Sequence, residues 1–114
     1  MHGLTIRWSL ADAPDGALEA LATYVEDVSF SRFAGLEGLR YKAWHARPGE
    51  WFEGSYVFVS DEARARFQEA FEQTAAEAPG SLMIGSPPVL VEAHEVLAVV
   101  RGPSGFRSAP RFHG

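Results

Sequence analysis

The chain has 114 residues, enough for one domain and too few for two, and it has no cysteine, which excludes disulfides, thiolate metal centres, iron–sulfur clusters and cysteine nucleophiles. Its net charge of -5 leaves nucleic acid no electrostatic footprint to bind. No apolar run approaches the roughly 20 residues of a membrane span, and the N-terminus lacks a charged segment followed by an apolar one, so the expectation is a cytoplasmic protein without membrane contact.

Residues 3–10 alternate. Leu4, Ile6, Trp8 and Leu10 share one side, and Thr5, Arg7 and Ser9 the other, which predicts a half-buried strand. Asp12-Ala13-Pro14-Asp15-Gly16 breaks it and offers a helix start. Leu18, Leu21, Ala22, Val25 and Val28 then recur at helical spacing and form one apolar stripe. Residues 29–37 read as a connection whose Phe30, Phe33 and Leu36 tuck under the helix end.

Period two returns over residues 38–46 and again over 51–59. Arg47-Pro48-Gly49-Glu50 between them suits a type II turn, because proline fixes φ and glycine accepts a positive one. Pairing across that turn is expected to put Leu39, Tyr41, Ala43 and His45 on one face with Phe52, Gly54, Tyr56 and Phe58. Arg40, Lys42 and Trp44 then share the other face with Trp51, Glu53, Ser55, Val57 and Val59.

Ser60-Asp61-Glu62 is a helix N-cap followed by acids that complement the macrodipole. Ala63, Phe67, Ala70, Phe71, Thr74, Ala75 and Ala78 form a second apolar stripe, which predicts a helix over 61–78 stopped by Pro79-Gly80. A loop over 81–87 and a long strand over 88–100 complete a domain spanning 1–100. An irregular tail with Arg101, Arg107 and Arg111 and no acid occupies 101–114.

The order β-α-β-β-α-β predicts an α+β fold of ferredoxin-like type, a four-stranded antiparallel sheet with two helices on one face. Two helices cover only one face. Trp44, Trp51, Val57, Val59 and half of the last strand would leave the opposite face too apolar for water, which predicts a homodimer closed by sheet-on-sheet contact through those residues, the alternative being a C-terminal tail folded back over the sheet.

Gly38-Leu39-Arg40-Tyr41-Lys42-Ala43-Trp44, the polar hairpin, Glu53-Gly54-Ser55-Tyr56-Val57-Phe58 and Ser60-Asp61-Glu62 together resemble the YdhR-type mono-oxygenases of the dimeric α+β barrel superfamily, which also holds the antibiotic-biosynthesis mono-oxygenases. The resemblance implies a homodimeric α+β barrel and a cofactor-independent mono-oxygenase acting on an aromatic or polyketide-like small molecule. The alternative is a non-catalytic dimeric module of the same fold that binds a small ligand or a protein. The chain has no asparagine, and residues 61–78 hold no histidine, which sets it apart from the quinone-forming and haem-degrading members.

Cofactor-free oxygenation needs an apolar aromatic slot and a proton acceptor that titrates near neutrality. His45 is the candidate catalytic base. Trp8, Tyr41, Phe52, Tyr56 and His94 are the candidate substrate-binding residues, and Gly54 offers close approach within a strand. No metal-binding cluster and no cofactor motif is present in the sequence.

Overall fold

The computed structural model describes residues 1–106. The expected tail over 101–114 lies outside the described residues from position 107 onward. Strands β1 (His2–Ser9), β2 (Leu39–Arg47), β3 (Trp51–Phe58) and β4 (Leu90–Glu95) form one antiparallel sheet in the order β2-β3-β1-β4. Helices α1 (Ala17–Tyr24), α2 (Phe30–Ala34), α3 (Asp61–Gln73) and α4 (Pro79–Ile84) lie on one face. This is the ferredoxin-like α+β architecture expected from the alternation of the two periods. No helix is long and apolar enough to cross a membrane among the described residues.

The core lies between sheet and helices. Leu4 and Ile6 are wholly buried, and Trp8, Phe52, Tyr56 and Phe58 continue the same layer. Leu21, Phe33 and Ile84 close it from the helical side. Trp8 joins the layers by a polar relay as well as by packing. Its Nε1–H donates to Ser81 Oγ at 2.9 Å, and the Ser81 hydroxyl donates to the Ala75 carbonyl at 2.6 Å. A buried indole N–H without such a partner would cost about 1–3 kcal/mol.

Several expected boundaries move. The first helix begins at Ala17, after Gly16 at φ 81°, and no side chain caps it, so Asp12 does not start it. Helical backbone does not end near residue 28. It passes through a π-turn at Val25–Ser29 into α2, so the expected connection over 29–37 is helical up to Ala34. The wider turn buries both Ser29 and Phe33. At the other end of the fold, α3 stops at Gln73 and a 3₁₀ turn follows at Ala75–Glu77. The expected loop over 81–87 is largely helix α4, with Pro79 in its first turn and Gly85 ending it at φ 90°. β4 is six residues long, well short of the expected 88–100, and the apolar segment after it stands in the open, with Leu97 91% and Val100 88% exposed. Ser60 caps α3 as expected, accepting from the Ala63 N–H at 3.1 Å.

The largest correction is the register of β2. Arg47 pairs with Trp51, so three residues form the connection and Lys42, Trp44 and Ala46 oppose Tyr56, Gly54 and Phe52. A one-residue slip relative to the expected pairing flips every side chain of that stretch. Lys42 and Trp44 therefore face the helices, while Tyr41, Ala43 and His45 lie on the open face with Val57, Ser55 and Glu53. A register shift between Leu39 and Tyr41 returns Leu39 to Phe58 and the core side.

The open face is more polar than expected. Trp44 is absent from it; the indole packs under the helices, 6.4 Å from the Phe30 ring and 5.9 Å from Phe33. Val57 is already buried within the chain. Arg7 Nε meets Glu53 Oε1 at 2.7 Å and the guanidinium lies 4.3 Å over Trp51, so charge occupies the middle of the surface. The segment after β4 covers part of it. The Val96 side chain reaches over Gly3, and the Phe106 ring lies 5.8 Å from Tyr41.

Candidate functional site

A cavity of about 310 Å³ opens between the sheet and the helices. Its floor is laid by alternate residues of three strands: Trp8 from β1, Lys42 and Trp44 from β2, and Phe52, Gly54 and Tyr56 from β3. Phe33, Phe67 and Phe71 form the facing wall. The walls meet as rings, with Tyr56 5.0 Å from Phe67, Phe33 5.8 Å from Tyr56, and Trp8 6.1 Å from Phe71. Gly54 keeps the floor open, because a Cβ there would lie 3.1 Å from the Tyr56 ring, which Phe58 and Phe67 hold in place. The volume suits a small molecule of one to three rings.

Lys42 is the chain's sole lysine. Its Nζ lies 3.3 Å from the Phe33 ring centre, 4.4 Å from Tyr56 and 4.5 Å from Trp44. It forms no hydrogen bond and no ion pair with a carboxylate among the described residues. Lys42 lines this cavity and also a shallower hollow beside Phe30 and Leu39. Burial, and then the Arg32 guanidinium, lower its pKa from 10.5 to about 6. Each of the three ring faces attracts an ammonium by roughly 0.5–2 kcal/mol, which opposes the desolvation that favours the free amine. Burial thus shifts Lys42 toward the neutral amine. Burial likewise pushes the Tyr56 phenol upward, so it stays protonated and can donate. Arg32 is exposed and stands at the rim as a permanent positive charge.

The structure divides the residues expected to form the site. Trp8, Phe52 and Tyr56 line the cavity. His45, Tyr41 and His94 lie on the opposite face of the sheet. His94 is exposed, with its ring over Gly3. His45 Nε2 lies 3.1 Å from Glu53 Oε2 and 3.2 Å from Ser55 Oγ. One nitrogen meets both partners, so the ring cannot relay a proton from Ser55 to Glu53 as an acid–base triad would. Sequence reasoning passed over Lys42 and Trp44. The available signal was a single lysine between two aromatic residues in a strand of period two, but its meaning depended on register.

No family model matches the chain, and no curated protein matches it. Among solved structures, it is similar to NE2512, a protein of unknown function from Nitrosomonas europaea, with 22% identity over 89% of this chain and 93% of that one and a TM-score of 0.64. It is more distantly similar to a candidate antibiotic biosynthesis monooxygenase from Chloroflexus aurantiacus, with 16% identity over 91% and 98% of the two chains and a TM-score of 0.44. Protein Atu4242 from Agrobacterium tumefaciens matches with 18% identity over 82% and 89% and a TM-score of 0.46. The NE2512 likeness is one of fold.

Proposed function

We propose that the chain is a cofactor-independent mono-oxygenase of small hydroxylated aromatic molecules. The observation that carries this reading is the Lys42 amine, paired with no carboxylate among the described residues, lining a cavity walled by aromatic rings. The amine accepts the proton of a ring hydroxyl, a role that suits a group titrating near neutral pH. The resulting anion is held by the new ammonium, the rim charge of Arg32 and the Tyr56 hydroxyl as donor. An electron-rich aromatic anion can react with O₂ directly. One oxygen atom enters the ring to give a quinone, and the other leaves as water with the two hydrogens the substrate loses.

Oxygen uptake with anthrone under air tests the reading. Lys42→Met is expected to lower turnover by about 10²-fold or more, the range of a lost general base. His45→Ala, on the far face, should leave it unchanged. Tight binding of anthrone without oxygen uptake would instead favour the non-catalytic ligand-binding module.

A second copy is the partner expected on the open face, with Trp51, Val59 and the exposed run Leu97–Val100 as the apolar surface available for it. Light scattering at micromolar concentration should give twice the mass of one chain, and a monomer would remove the sheet-on-sheet dimer.

A further inference from the structure

We propose that Lys42 is also a covalent capture site for aromatic aldehydes, held in the cavity as an imine. Only two primary amines exist in the chain, Lys42 Nζ and the Met1 terminus. They stand in opposite environments. The terminal amine is at the exposed end of β1, 3.1 Å from the Val96 carbonyl and 3.8 Å from Glu95. Lys42 forms no ion pair among the described residues and has three ring faces around it in the lining of the cavity.

A lysine desolvated in an apolar pocket beside another cation is an activated nucleophile. Its lone pair attacks the carbonyl carbon, and the C=O electron pair moves to oxygen. Proton transfer from nitrogen to that oxygen gives a carbinolamine, and loss of water forms the C=N bond. The sequence is a condensation that needs no oxidant or reductant. The ring walls favour an aryl group. A flat aldehyde of one or two rings fits the volume. The inference uses the cavity of the proposed oxygenase site but none of its oxygen chemistry.

The test is reductive trapping of the intact chain with 2-naphthaldehyde and cyanoborohydride at pH 7, without oxygen, followed by peptide mass mapping. Cyanoborohydride delivers hydride to the imine carbon and leaves a stable secondary amine. Lys42 should be labelled about tenfold faster in the folded chain than in the same chain unfolded in urea, because only folding sets the amine among the ring faces of an aryl-binding cavity. It should also prefer naphthaldehyde over acetaldehyde by more than free lysine does. Labelling confined to Met1, or labelling of Lys42 that folding does not accelerate, would overturn the proposal. An absence of oxygen uptake with anthrone would leave it standing, because trapping requires no turnover.

Discussion

Lys42→Met should raise the unfolding free energy at pH 7 by about 1–4 kcal/mol, because the unfolded chain binds a proton at this lysine that the lowered pKa of the folded chain disfavours. Few single substitutions stabilise by that much. This one does so because the folded chain holds its lysine in a place that disfavours the ammonium. Above pH 10.5 the amine is neutral in both folded and unfolded chains. As pH falls, the unfolded chain takes up the proton first and is stabilised by it, while the folded chain follows only near pH 6. The unfolded state thus binds more protons between those limits, and folding stability rises with pH across that window. The slope contributed by one such group approaches 1.4 kcal/mol per pH unit. Urea unfolding of both proteins at pH 6, 7, 8 and 9 measures it. The histidines and carboxylates are common to both proteins, so the difference between the curves isolates Lys42. Parallel curves would show that the amine is protonated in the folded chain, and the proton-acceptor role would fall with it.

Trp8→Ala should cost about 3–5 kcal/mol, the range for removing a large buried aromatic side chain. The indole is 5% exposed and serves two structures at once. One side of it packs on Phe52 and Phe71, and its N–H holds Ser81 at the start of α4. Gly80 packs against the same ring, with space for a Cβ only 3.3 Å from it. Ser81→Ala separates the two contributions. It keeps the ring and orphans its N–H, so it should cost about 1–3 kcal/mol. Chemical denaturation of both variants reads the difference. Equal losses would mean that the hydrogen bond, rather than the packing of the ring, holds α4 to the sheet.

Both predictions depend on which residues share a face, and the two kinds of element differ in how openly the sequence declares that. The alternation of Leu4, Ile6 and Trp8 and the spacing of Phe67 and Phe71 declare buried faces by themselves, since a period of two or of 3.6 leaves one geometric solution. The Ser60 cap and the Gly49 turn are equally local, because the hydroxyl and the positive φ of 78° act within a few residues. The placement of Trp8, Phe52 and Tyr56 on the helix-facing side followed from these patterns.

The strand Leu39–Arg47 carries no such declaration. Tyr41, Ala43 and His45 alternate with Lys42, Trp44 and Ala46, and either set could be the buried one by composition. The choice was made by the three-residue connection to Trp51 and by the irregularity near Arg40, together with the space the π-turn and Phe33 leave for Trp44. Hydrophobic periodicity is a property of each segment alone, so the sequence by itself determined the four strands, the two longer helices, their order and the sheet with helices on one face, but not the short helices Phe30–Ala34 and Pro79–Ile84. Register is a relation between strands separated by a turn. Only the tertiary structure could therefore decide that the lone lysine turns inward to the aromatic cavity while His45 turns out to Glu53.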